Sequence, residues 1–333
     1  MKLKLISMIT IVATLMSACS NKPKTYNSVD EYPEYKGNDL GVTYTPNKSF
    51  FRIWSPAAQE VRLNIYEDGL EGAPSQVFDM KYDVDGTWTY IVKEDLIGKF
   101  YTFQIKQNDQ WLDPTPGIWA KAVGVNGERA AIIDWTTTNP EGWENDVRPE
   151  MKSFTDAIIY EVHMRDYTIH PSSGSSFPGK FLGLSETGTK TIDGLTAGID
   201  HLKELGITHV QILPSYDYGS IDETRLADNK YNWGYDPKNY NVPEGSFSTD
   251  PFHGEVRIKE YKEMIQAFHT NGVGVIMDVV YNHTYDIDNN CFQKCVPDYY
   301  YRITEDGEYS DASACGNEVA SDHPMCSKFI IDS

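Results

Sequence analysis

The stretch "DGLTAGIDHLKELGITHVQILP" (Asp193–Pro214) decides the fold, because it packs a helix, a stop and a strand into one short passage. Leu195, Ile199 and Leu202 fall on one helical face, and Gly206 stands where a helix closes in the left-handed conformation. Only "GIT" separates that stop from the apolar run "HVQILP". Upstream, "AIIYEV" (Ala157–Val162) is a continuous apolar strand, as expected of one buried on both faces. Downstream, "EVRIKEYKEMIQAFHTNG" places Ile258, Tyr261, Ile265 and Phe268 on one helical face and ends on Gly272. The strand "VGVIMDVV" follows at once. The order is β-α-β-α-β, which predicts a parallel sheet with right-handed crossovers.

The connections are unequal. Those from helix to strand are tiny, whereas those from strand to helix are long. A parallel sheet elaborated only beyond its strands' C-terminal ends describes a (β/α)₈ barrel, whose site is built there. A doubly wound open sheet would place a ligand similarly. However, "HMRDYT" rather than a glycine-rich phosphate loop follows the first strand, which favours the barrel. A complete barrel takes about 250 residues, yet only three strands are legible after Asp156. The last segment, "HPMCSKFIIDS", reads as a helix opening at Pro324, so the chain is expected to stop inside its third barrel helix.

The first half has another texture. "FFRIWSP", "EVRLNIYE", "TWTYIV" and "FYTFQIKQ" alternate and are separated by Gly, Pro, Asp and Asn, the pattern of an antiparallel β-sandwich. Pro140, Gly142 and Pro149 break the stretch that follows it. At the N-terminus, Lys2 and Lys4 precede the apolar run "LISMITIVATLM", and "MSAC" resembles a bacterial lipobox with Met16 where Leu is commoner. Cys19 is then the expected lipidation site; an ordinary secretory signal is the other reading. Either one takes the protein out of the cytoplasm, and lipidation places it in the cell envelope or at the cell surface. The expected organisation is multidomain: signal peptide 1–19, tether 20–39, β-sandwich 40–135, linker 136–155, and the first three βα units of a barrel over 156–333.

The chain of 333 residues is 40% hydrophobic and carries a formal charge of -20. So acidic a surface repels phosphate, which argues against nucleic acid as a partner and against a membrane except through a lipid anchor. Cys291, Cys295, Cys315 and Cys326 are an even set in an oxidising compartment, consistent with two disulfides in any of three pairings. A zinc site fits less well, because no C-x₂-C pair exists and His323 alone is a thin partner.

Chemistry is expected at the strand ends. They carry His163, Arg165 and Asp166 after the first, "YNWGYDP" (Tyr231–Pro237) after the second, and "DVVYNHT" with Asp278, Asn282 and His283 after the third. Taken singly, each has a structural reading: a buried anchor, a loop brace, a donor. Arg165 and Asp166 are read as structural. As an ordered set they resemble the α-amylase superfamily, glycoside hydrolase family thirteen. "DVVYNHT" is similar to its first conserved region, "YEVHMRDYT" to the first-strand segment of the pullulanase branch, and "YNWGYDP" to the heptapeptide marking type I members. The sandwich resembles the starch-type carbohydrate-binding module that precedes such barrels.

The resemblance implies a retaining glycoside hydrolase acting on α-1,6-glucosidic linkages of pullulan, glycogen or amylopectin. It implies that Tyr235 stacks under the sugar at the cleavage point, that His283 bonds its 6-side, and that Asp278 holds neighbouring side chains. Asn282 would brace the loop or approach a calcium, and Trp233 and Asp236 would shape the pocket. No cofactor is required; Asn282, Asp286 and Asp288 offer oxygens to a calcium ion, without the glycine and distal glutamate of an EF-hand. The Asp nucleophile and Glu acid/base belong to strands four and five, so both are expected beyond Ser333 and the chain itself is expected to be inactive. The alternative is a non-catalytic surface lipoprotein that binds α-glucan.

Overall fold

Alternating apolar residues build two facing sheets in the first half of the computed structural model, which describes residues 23–333. The first sheet orders β1 (Gly41–Thr45), β2 (Lys48–Trp54), β6 (Thr87–Val92) and β5 (Lys81–Tyr82) as β1-β2-β6-β5. The second orders β4 (Gln76–Asp79), β3 (Glu60–Tyr66), β7 (Phe100–Gln107) and β8 (Gln110–Trp111) as β4-β3-β7-β8, with β9 (Ala130–Ala131) on β7. All pairings are antiparallel. Val61, Leu63 and Ile65 of β3 and Tyr101, Phe103 and Ile105 of β7 point inward, two residues apart as the pleat demands.

The second half is laid on a parallel sheet of β10 (Ile159–Val162), β11 (His209–Ile212) and β14 (Gly274–Met277). Between β10 and β11 run α1 (Phe181–Ser185) and α2 (Gly198–Glu204); α3 (Gly254–Thr270) returns the chain to β14. The long β11–α3 connection carries an antiparallel pair, β12 (Tyr216–Tyr218) and β13 (Pro237–Pro243). After β14 come α4 (Cys291–Cys295) and α5 (Pro324–Asp332), the latter opening on its proline as predicted. Gly206 and Gly272 adopt positive φ at the stops of α2 and α3.

Three expectations need correction. Leu195 is 67% exposed, because α2 starts only at Gly198 and the residue lies outside the amphipathic face assigned to it. In β10 only Val162 is buried, whereas Ile159 and Tyr160 are exposed, so the strand lacks the two-sided cover its apolar run anticipates. The four cysteines of the second half are free thiols. Cys291, Cys295 and Cys326 serve as small apolar core residues beside Phe292 and Phe329, and burial pushes the Cys291 and Cys326 thiols up to about 12. Cys19 and the signal segment lie outside the described residues. No described helix is long and apolar enough to cross a membrane.

The two halves share one core. Trp54 meets Tyr299 edge-on at 4.8 Å, Trp119 meets Phe329 at 5.7 Å, and Ser55 Oγ donates to the Cys295 carbonyl at 2.8 Å. Such continuity of apolar packing joins sandwich and barrel segment into one body.

Candidate active site

The parallel sheet sets the site through its strand ends. Beyond β14, Asp278 accepts from the Tyr235 hydroxyl at 3.0 Å and from Gln211 Nε2 at 3.3 Å, both on Oδ2. Tyr235 thus bridges the β11–α3 loop to the end of β14. Burial first, then the Asp278 carboxylate, pushes its phenol up to about 12, so it stays protonated and donates.

The heptapeptide is shaped by its own polar residues. Gly234 has φ +89°, and an added Cβ would strike the Pro214 carbonyl, so only glycine brings the backbone this close to the end of β11. Asn232 is the hub: its Oδ1 accepts from Gly234 N at 2.8 Å, and its Nδ2 donates to Asp236 Oδ1 at 2.7 Å and Ser220 Oγ at 2.6 Å. Asp236 further accepts from Ser220 N at 3.0 Å. Trp233, between Gly234 and Asn232, is 64% exposed.

Two histidines hold this loop from opposite strands. His163, just past β10, donates from Nε2 to the Asn232 carbonyl at 2.7 Å, while Asp166 N donates to its Nδ1 at 3.2 Å; the pair fixes the orientation of the ring. The Tyr231 ring lies over it at 4.9 Å. His283 donates from Nε2 to the Tyr235 carbonyl at 2.8 Å, with Nδ1 2.6 Å from the Asn282 amide oxygen. Both His283 nitrogens are therefore engaged with protein in this structure. Asn282 also accepts from Val319 N at 2.9 Å through its carbonyl. Arg165 donates to Asp166 at 2.5 Å and to Asn229.

The structure therefore brings Tyr235, Asp278, His283, Asn282, Asp236 and Trp233 to one place. Asp286 lies apart in its bonding, its carboxylate accepting from Asn289 N at 2.6 Å and Nδ2 at 3.3 Å. Asp288 is exposed. Sequence reasoning gave no role to His163, Asn232 or Gln211; only their positions at strand ends or within the heptapeptide hinted at one.

It also missed a buried ionic cluster behind the loop. Asp217 of β12, Glu223 and Glu244 bring carboxylate oxygens within 4.8 Å of one another, the only such group among the described residues. Arg257 of α3, fully buried, donates to Glu223 at 2.8 Å, to Asp217 at 3.4 Å and to the Pro251 carbonyl at 2.8 Å. It supplies the positive charge a metal would otherwise bring, so the arrangement fits an ion network rather than a metal centre. Burial, then the charge of Glu223, pushes Asp217 up to about 6 and Glu244 well above the usual carboxylate range.

Both halves of the chain match known proteins. The family model described as the α-amylase catalytic domain matches residues 176–316, and that of carbohydrate-binding module 48 (isoamylase N-terminal domain) matches residues 39–120. The pullulanase of Bacillus subtilis (strain 168) is 38% identical over 303 residues, covering 91% of this chain and 41% of that protein. A crystal structure of a mutant pullulanase from Paenibacillus barengoltzii complexed with maltotriose is 52% identical with TM-score 0.89, covering 92% of this chain and 48% of the other. The pullulanase of Bacillus acidopullulyticus superposes with TM-score 0.87 at 43% identity, with 91% and 37% covered. The chain thus spans less than half the length of these relatives.

Proposed function

We propose, on the premise that this chain is a pullulanase-type member of the α-amylase family with an N-terminal carbohydrate-binding module 48, that it serves debranching of α-glucans at α-1,6 linkages. Residues 156–333 act as the first three βα units of a (β/α)₈ domain, and residues 40–135 as a glucan-binding module. One observation carries the reading: the Tyr235 ring is held between the ends of β11 and β14, hydrogen-bonded to Asp278, with its carbonyl clamped by His283. An apolar ring face set beside a carboxylate suits the C–H face of a glucose unit with hydroxyls at its rim. Trp233 extends the apolar surface, Asp236 stiffens the loop, and Asn282 braces it.

Retaining hydrolysis needs two carboxyl groups roughly 5–5.5 Å apart. We assign neither to this chain. Asp278 is committed to Tyr235 and Gln211, and Asp332 of α5 binds Lys328 at 2.7 Å. Cys19 is the proposed lipidation site, placing the protein at the cell envelope; incorporation of labelled palmitate that persists in Cys19→Ser would count against it. The glucan reading is tested by affinity electrophoresis on pullulan. Retardation of the chain, weakened in Tyr235→Ala, is the expected result, and equal migration with and without pullulan contradicts it.

A further inference from the structure

We propose that the Asn126–Glu128 turn of the β-sandwich is a positioning element of the heptapeptide platform, so that the glucan-binding module sets the geometry of the Tyr235 loop. The proposal rests on the platform reading above. The turn leaves the sandwich just before β9 and enters the barrel segment behind β13. Asn126 and Gly127 both have positive φ, +62° and +70°, which turns their polar groups toward the barrel. Asn126 and Glu223 exchange two bonds of 2.7 Å each, backbone N–H to side-chain oxygen in both directions. Asn126 Nδ2 adds a bond to Asp222 at 3.0 Å.

The turn also grips the strand that carries the heptapeptide onward. Lys238, next after Pro237, donates Nζ to the Asn126 carbonyl at 2.6 Å and to Glu128 at 2.5 Å. Asn239 donates one amide to the Gly127 carbonyl at 3.1 Å and to Asp217 at 2.7 Å. Asp217 and Asn239 are paired across β12 and β13, and Tyr218 pairs with Pro237. One residue further, Gly219 N donates to the Asp236 carbonyl at 3.0 Å, and Asp236 in turn holds Asn232. A continuous set of hydrogen bonds thus runs from the sandwich turn to the residue that fixes Gly234. Because coupling free energy is reciprocal, sugar on the platform would in turn tighten the module's docking.

Gly127 gives the test its wedge. A Cβ there would overlap the Asp217 carboxylate and the Asn239 amide, and the positive φ adds strain. Hydrogen exchange of the whole chain is compared between wild type, Gly127→Ala, Asn126→Gly and Lys238→Met, without sugar. In the variants, amides over Tyr218–Ser220 and Tyr231–Asn239 are expected to exchange about tenfold faster. Those of β3 and β7 stay unchanged. Unchanged exchange in the heptapeptide overturns the proposal, as does uniform acceleration across sandwich and barrel alike. If Gly127→Ala fails to fold, Asn126→Gly, which keeps the left-handed turn, decides on the same terms. Since no sugar is present, failure here strikes the positioning role, whereas a wild-type chain that ignores maltotriose strikes only the platform reading.

Discussion

Tyr235 owes its place to its neighbours more than to its own chemistry. Gly234 lets the backbone pass close to Pro214, Asn232 closes the turn, and His163 and His283 hold carbonyls on either side. The ring and the glycine are readable in the sequence because they form a recognisable heptapeptide. The histidine contacts are not, since a bond to a backbone carbonyl leaves no residue-type signature at its other end. His283 shows the difference: the resemblance implies a contact to sugar, and the structure adds contacts to the Tyr235 carbonyl and the Asn282 amide. We expect Tyr235→Ala to weaken maltotriose binding tenfold or more, and Tyr235→Phe, which keeps the ring but loses the Asp278 bond, by only about threefold. Equal losses in calorimetric titration would assign the role to the hydroxyl instead. His163→Ala should loosen the loop without touching sugar, seen as faster amide exchange over Tyr231–Asp236; unchanged exchange there would remove it from the loop's support.

At the scale of elements, periodicity found α3 well. Ile258, Tyr261 and Phe268 are buried as its spacing predicts. It did not find Arg257, because a charged residue in an amphipathic pattern reads as surface. Yet Arg257 is fully buried and ties α3 to β12 and the Glu223 segment. Arg257→Met removes the cation among three buried carboxylates and should cost about 3–5 kcal/mol in urea unfolding; a loss below about 1 kcal/mol would show that the cluster neutralises itself. Asp217 gives the cluster a pH signature. Its folded-state value, about 6, lies above the ordinary 3.8, so the native state holds that proton more tightly. Its contribution to stability is full below the unfolded range and is lost as pH rises through about 6. Glu223, Glu244, Arg257 and Lys238 are the charged groups that surround it. The melting temperature of wild type should therefore fall relative to Asp217→Asn across that window, and parallel pH profiles would contradict the assignment. The miss at Leu195 has a simpler origin: helical spacing extends to any leucine in phase, but the helix itself begins at Gly198.

Across the whole molecule, the sequence separates two textures that the structure joins. Alternation marks the sandwich and helical period marks the barrel segment, but pattern carries no information about what lies between them. There Trp54, Trp119, Tyr299 and Phe329 form a shared aromatic core, and the Asn126 turn adds a polar lock. An interface so apolar favours one cooperative unit over two hinged bodies. Phe329→Ala should cost about 3–5 kcal/mol and lower the stability of both halves together; separate calorimetric transitions for sandwich and barrel segment would contradict this. The central claim is that the chain presents a glucose platform at Tyr235. The most direct measurement is calorimetric titration of maltotriose into the wild-type chain and into Tyr235→Ala. A saturable change that is lost or shifted at least tenfold in the variant is the predicted result. Identical titrations of the two proteins would contradict the claim.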